Sequence, residues 1–192
     1  WETMCVNGAL CTIQLLQDNH FIFNDYIFKA GDGEHQIKFS NNLIHIKMIT
    51  PTFKTNELQL HGISGKHINS GAKHFVLLSD ITDNNILYNI AQKIRYDDCF
   101  YPEGININFL HIINSETIRV ITYEKGIENL MDSCGSGSVA AAFYASSQEN
   151  IISPLHVINP GGNLTIHFNQ DWDDVWISSQ PQIIQELSVE LL

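Results

Sequence analysis

At Asp132-Ser133-Cys134-Gly135-Ser136-Gly137-Ser138 a cysteine stands directly before a short glycine/serine run, and Val139 to Ser147 then reads as a helix. This order constrains the chain more than any other stretch, because it sets Cys134 at the positive end of a helix. The N–H groups of a first helical turn have no partner inside the helix, so they favour an anion in front of them. A free thiol has a pKa of about 8.5, which falls to about 3.5–7.5 in such a position. The same N–H groups can hold a carboxylate. The plain alternative is a buried cysteine beside a flexible loop.

A second copy of the pattern opens the chain. Cys5-Val6-Asn7-Gly8 mirrors Cys134-Gly135-Ser136-Gly137, and Leu10, Ile13 and Leu16 follow at helical spacing. Two thiols at two helix starts are what a two-base proton transfer needs. One thiolate takes a proton from an activated carbon and the other thiol delivers one to the opposite face, while the helix ends stabilise charge building on a neighbouring carboxylate.

Composition narrows the partners. The formal net charge is -11, and Arg95 and Arg119 are the only arginines, which argues against nucleic acid and anionic membranes. No apolar run approaches the roughly 20 residues of a membrane helix, and neither a secretory-signal pattern nor a low-complexity segment stands out. Cys5, Cys11, Cys99 and Cys134 match no zinc-ligand spacing, so no metal is expected, and a core-rich chain of 192 residues does not need disulfide staples. Reduced thiols in a cytoplasm fit better. Trp1 in place of Met suggests a fragment or a missing start.

The remaining pattern is strands with few helices. Phe21 to Lys29, His35 to Phe39, Leu43 to Met48, Leu58 to Ile63, Gly71 to Ser79, Ile105 to Ile112, Thr117 to Tyr123, Leu155 to Ile158, Leu164 to Phe168, Val175 to Ser178 and Ile183 to Val189 read as strands. Ser40-Asn41-Asn42 makes a hairpin turn, and His45 falls on a solvent face. Ile86 to Tyr96 reads as a helix capped near Asp83-Asn84. The class is therefore α+β, most economically two similar sheet-and-helix halves, with a candidate boundary at Thr50-Pro51-Thr52.

With these pieces in place, the chain resembles the diaminopimelate epimerase family. The landmarks are Met4-Cys5-Val6-Asn7-Gly8, Gly71-Ala72-Lys73-His74-Phe75, Ile94-Arg95 through Phe100-Tyr101-Pro102-Glu103-Gly104-Ile105-Asn106-Ile107-Asn108-Phe109, Tyr123-Glu124-Lys125-Gly126, Cys134-Gly135-Ser136-Gly137 and Pro160-Gly161-Gly162, in the family's order across nearly the whole chain. The resemblance implies two similar domains, each a curved, mostly antiparallel sheet around a central helix. Residues 1–51 would be the remainder of the first domain, whose N-terminal part is absent. Residues 52–180 would form the second, and 181–192 a strand returning to the first.

It further implies a racemase that uses no cofactor and interconverts the LL and meso forms of diaminopimelate, a precursor of lysine and peptidoglycan. Cys5 and Cys134 would be proton donor and acceptor. Val6, Asn7, Gly135 and Ser136 would grip the substrate near the reacting carbon. Asn106, Glu124 and Lys125 fall at substrate-contacting positions, and His74 and Glu124 at positions that adjust the thiols, a protonated histidine lowering a thiol pKa and a carboxylate raising it. Each has a structural reading beside this one: a satisfied core histidine for His74, a ladder-side residue for Asn106, an exposed ion pair for Glu124 and Lys125. Cys11 and Cys99 read as structural.

Three departures from the family pattern bear on specificity. Ala72-Lys73-His74 stands for Asn-Pro-His, Glu124-Lys125-Gly126 for Glu-Arg-Gly, and the segment from Glu124 to Cys134 is one residue longer, so that Glu128 is a candidate to share the role of Glu124. Lysine keeps arginine's charge but not its planar fork. Ala72 and Lys125 leave open a racemase of another amino acid, such as histidine, and the missing N-terminal part leaves open a non-catalytic or truncated paralogue that only binds. The expected partner is a small-molecule amino-acid substrate; subunit number stays open, with a homodimer as one possibility.

Overall fold

A computed structural model describes residues 3–22 and 24–182. The strand expected at Ile183 to Val189, and with it the return of 181–192 to the first domain, lies almost wholly outside them. Besides one short 3-10 turn at Asp98–Phe100, the described residues form three α-helices and thirteen strands. In order they are α1 (Val6–Asp18), β1 (Tyr26–Ala30), β2 (Gly33–Ser40), β3 (Leu43–Met48), β4 (Thr52–Phe53), β5 (Leu58–Leu60), β6 (Ile63–Asn69), β7 (Lys73–Leu78), α2 (Asn84–Arg95), β8 (Asn106–Asn114), β9 (Thr117–Glu124), β10 (Asn129–Met131), α3 (Gly135–Gln148), β11 (Leu155–Asn159), β12 (Gly162–Phe168) and β13 (Val175–Ser179).

All the strands connect into one sheet, along the path β1-β2-β3-β13-β12-β11-β9-β8-β7-β6-β4, with β10 on β9 and β5 on β6. The sheet is mixed, because β7 runs parallel to β8 and β11 parallel to β9 while the other pairs are antiparallel. The α+β class therefore holds. Alternation explains the strands: along β3, Ile44, Ile46 and Met48 point into the core while His45 and Lys47 are half-buried on the other face.

Two corrections concern turns. Leu58 to Ile63 is not one strand. The chain reverses at His61-Gly62, both at positive φ (51° and 79°), and returns as β6, with Leu60 paired to Ile63. Positive φ at both central residues is the mark of a tight hairpin turn, the conformation also taken by Asn41 and Asn42 between β2 and β3. The first strand begins at Tyr26 rather than Phe21.

The helices are placed by their apolar faces. In α2, Leu87, Ala91 and Ile94 are buried at helical spacing, and the Asp83 carboxylate caps the helix by accepting from the N–H groups of Asn85 (2.8 Å) and Ile86 (3.3 Å). This face packs on Phe75, Leu77, Ile107, Phe109 and Tyr123 of the sheet. Helix α3 is different: residues 135–142 are all buried, and each is Gly, Ser, Ala or Val. Such small side chains let backbones approach from every side. Helix α1, through Val6, Leu10 and Ile13, joins α3 in a second core with Ile44, Ile46, Val157, Ile166 and Ile177. Each large aliphatic side chain taken fully from water contributes about 1.5–3 kcal/mol. Among the described residues no helix is long and apolar enough to cross a membrane.

Candidate active site

Both cysteines singled out above are N-caps. Cys5 precedes α1 and Cys134 precedes α3, each in extended conformation (φ -87° and -138°). The glycine/serine residues that read as a turn before each helix are in fact its first turn, so Val6-Asn7-Gly8 and Gly135-Ser136-Gly137 already carry outward N–H groups. Neither first turn contains an acidic residue to offset the positive helix end.

The two helix starts meet. A methyl group added at Gly135 would lie 2.5 Å from Val6 Cβ, and Asn7 Nδ2 donates to the Ser133 carbonyl at 3.3 Å. Between them opens a cavity of about 700 Å³. Cys5, Val6, Asn7, Asn106, Glu124, Lys125, Cys134, Gly135 and Ser136 all line it. His74 does not; it is fully buried behind Ser136.

The Cys5 sulfur accepts from Gly8 N–H at 3.4 Å, and the residue is exposed. The loop before it is fastened from below: Met4 N–H donates to Asp32 Oδ1 (3.1 Å), and His35, fully buried, reaches the same oxygen (3.2 Å) and the Lys47 carbonyl (2.9 Å). Cys134 is half-buried. Burial pushes its thiol pKa up, against the pull of the Gly137 N–H and the Ser136 hydroxyl, and the negative charge of Glu124 raises it further. Helix polarity therefore does not dominate at Cys134, contrary to the sequence expectation. Glu124, partly buried, is itself raised by burial.

His74 also departs from expectation. Burial drops its pKa to about 4 against a hydrogen bond to Asn108 that raises it, so at neutral pH the imidazole is uncharged. A neutral ring exerts no cationic pull on the thiol, and its link to Cys134 is a chain of hydrogen bonds. Nε2 lies 3.1 Å from Ser136 Oγ, which lies 3.6 Å from Cys134 Sγ.

Asn106 bridges the cavity rim, donating to the Lys73 carbonyl (3.1 Å) and accepting from Lys125 N–H (2.8 Å). Lys73 pairs with Glu103, and both line the cavity. Glu128 is elsewhere. Arg95 holds it from Nε (3.1 Å) and Nη2 (2.9 Å), and it is absent from the cavity wall, so it does not share the place of Glu124. Asn69, Lys73, Glu103 and Met131 are wall residues that sequence reasoning did not assign to the site. Asn108 and Thr122, behind His74, were missed too. The alternation Asn106-Ile107-Asn108 carried a signal, since it puts both amides on one face of β8. Among the described residues no cluster of His, Cys, Asp and Glu could hold a metal ion.

The family model described as "Diaminopimelate epimerase" matches residues 67–180. The diaminopimelate epimerase of Aquifex aeolicus is 30% identical over 98% of this chain and 71% of its own length. That of Flavobacterium psychrophilum is 30% identical over 98% of this chain and 73% of its own. Among solved structures, a probable proline racemase from Agrobacterium radiobacter superposes with a TM-score of 0.68 at 12% identity, covering 92% of this chain and 65% of that one. A hydroxyproline epimerase from Agrobacterium vitis gives 0.67 at 12% identity, over 92% and 63%. At that identity the likeness concerns the fold alone.

Proposed function

The chain belongs to the diaminopimelate epimerase family, and from that footing we propose that it interconverts LL- and meso-diaminopimelate by proton transfer between Cys5 and Cys134 at the α-carbon. It is an isomerase of the racemase and epimerase type. The observation that carries the reading is that the N-cap thiols of α1 and α3 open on one cavity.

The substrate α-carboxylate sits against the first-turn N–H groups of Val6, Asn7, Gly135 and Ser136. One cysteine, as thiolate, takes the α-proton; the electron pair left on carbon delocalises into the carboxylate, where the two helix ends stabilise the added charge. The other cysteine, as thiol, delivers its proton to the opposite face. The enzyme is left with the two protonation states exchanged, ready for the reverse reaction. Glu124 and Lys125 face the substrate from the rim, with Asn106 holding that rim in shape. Glu124 and, through Ser136, His74 balance Cys134 between thiol and thiolate. No cofactor takes part.

The finer architecture goes with this reading: two similar halves, residues 1–51 and 52–180, each a curved sheet wrapped on a helix that presents one cysteine. A reduced cytoplasm suits free thiols, and a single chain or a homodimer would present the same cavity.

A second reading keeps the chemistry and changes the substrate. Ala72 and Lys125, both departures from the family pattern, line the cavity, which favours a racemase of another amino acid such as histidine. Wash-in of deuterium at the α-carbon in deuterated buffer separates the two. Exchange into both diaminopimelate stereoisomers is expected. Exchange only with another amino acid gives the second reading, and no exchange with reduced thiols makes the chain a binder without turnover.

A further inference from the structure

Behind the cavity, three strands set a row of polar side chains beneath the start of α3. Thr122 on β9 lies directly opposite Asn108 on β8, and β8 pairs with β7, which carries His74. Thr122, Asn108 and His74 are all buried, at 2%, 0% and 0% exposure. Asn108 Nδ2 donates to Thr122 Oγ1 at 2.6 Å, and Asn108 Oδ1 lies 2.7 Å from His74 Nδ1. The amide is pressed against α3: a methyl group on Gly137 would fall 2.3 Å from Asn108 Nδ2. From His74 the row continues through Ser136 Oγ to Cys134 Sγ.

We propose that Asn108, braced by Thr122, is a positioning residue that holds His74 in its Nδ1-protonated form, so that Nε2 is an acceptor and the Ser136 hydroxyl is shared between imidazole and Cys134 sulfur. The argument is one of donors and acceptors. In the amide orientation of the structure the NH2 is on Thr122 and the oxygen is turned to His74, and in that arrangement Nδ1 donates. A neutral ring then has a bare Nε2, and its hydrogen-bond partner among the described residues is Ser136 Oγ. When Cys134 is a thiol, S–H donates to Oγ and O–H donates to Nε2. When Cys134 is a thiolate, the hydroxyl rotates and donates to sulfur. The only proton exchanged is the one Cys134 itself gives to or takes from the substrate carbon; none passes along the row, and one rotor serves both charge states of a base that must be thiol in one half of the cycle and thiolate in the other.

The other ionisable groups facing these two are few. His67 on β6 faces His74, and Glu124 on β9 and Cys5 at α1 face Cys134. The inference rests on the reading of Cys134 as an active thiol, but its test does not need turnover. In the Cys5→Ser chain, the pH dependence of iodoacetamide alkylation, read on the Cys134 peptide by mass spectrometry, gives the thiol pKa. Asn108→Asp places a carboxylate on Nδ1, which favours the imidazolium; Nε2–H then occupies Ser136 Oγ and the hydroxyl proton turns to sulfur. The Cys134 pKa is expected to fall by about one unit. With His74→Gln added, the same carboxylate can act only by its charge, and the pKa is expected to rise.

A rise in both backgrounds, or no change in either, overturns the proposal. Nitrogen-15 imidazole shifts of the unaltered chain supply a check free of folding effects. The Nδ1-protonated form is expected, with the Nε2-protonated form appearing in Thr122→Val. An Nε2-protonated ring in the unaltered chain also overturns it. Failed deuterium exchange with intact alkylation behaviour would count against the epimerase reading and leave this one standing.

Discussion

Asn7 Nδ2 donates a hydrogen bond to the Ser133 carbonyl oxygen across 3.3 Å, fastening the first turn of α1 to the residue before Cys134. Both residues line the cavity, and the bond is exposed to water. An exposed hydrogen bond adds at most about 0.5–1.5 kcal/mol to stability, yet this one ties together the two helix starts that, in the proposed reaction, carry the thiols to either side of one carbon. Asn7→Ala is therefore expected to leave the melting temperature within a few degrees and to lower the α-proton exchange rate about tenfold or more, since small misplacements of reacting groups are costly. Paired melting and exchange measurements check this. Unchanged exchange would show that the helix starts keep their spacing without it.

Cys5→Ser separates capping from chemistry. Serine is among the best N-cap residues, and the sulfur of Cys5 accepts only a long 3.4 Å bond from Gly8 N–H. The variant should melt at the same temperature as the parent or higher. Its hydroxyl, far less acidic than a thiol, should abolish epimerisation. A calorimetric scan beside a turnover assay makes the comparison, and retained turnover would rule out the two-thiol mechanism.

Both cysteines were legible because capping is local: a cysteine, small residues and an apolar helix in sequence leave little choice. The glycines were misread for an instructive reason. Glycine in a helix interior costs about 0.8–1 kcal/mol, so Gly135-Ser136-Gly137 looked like a turn. The segment is the first turn of α3, and glycine stands at 135 and 137 because a side chain there would collide with Val6 and Asn108. Strand β6 was lost for another reason. Its burial follows no simple alternation, and the His61-Gly62 reversal carried the positive φ of a hairpin with a histidine in the position more usual for asparagine. The row from Thr122 to His74 depends on the pairing of β7, β8 and β9, which no short stretch encodes.

His74 makes stability depend on pH in one direction. Its pKa in the folded chain is about 4, against an ordinary value of 6.5. Between these values the unfolded chain binds a proton that the folded chain refuses, so stability is complete above about pH 6.5 and is lost as pH falls towards 4. The loss from this group amounts to about 3 kcal/mol at most. Urea titrations at pH 7 and pH 4.5 should differ by a smaller margin in His74→Gln than in the parent. An equal acid loss in both would place the sensitivity in other groups.

Gly135→Ala tests the contact that brings the thiols together. The added methyl would lie 2.5 Å from Val6 Cβ and 2.7–2.8 Å from its two methyl carbons. That approach is too close for either helix start to absorb without moving, and overpacking of this kind costs about 1–3 kcal/mol. Both effects should appear together: a lower melting temperature, and loss of exchange as Cys5 and Cys134 are forced apart. Removing the opposing side chain with Val6→Gly should restore part of the exchange in the double variant, though not all of the stability, because glycine weakens the start of α1. Recovery of exchange identifies spacing as the cause. If the double variant is as inactive as Gly135→Ala alone, the glycine is needed instead for approach of the substrate to the α3 backbone.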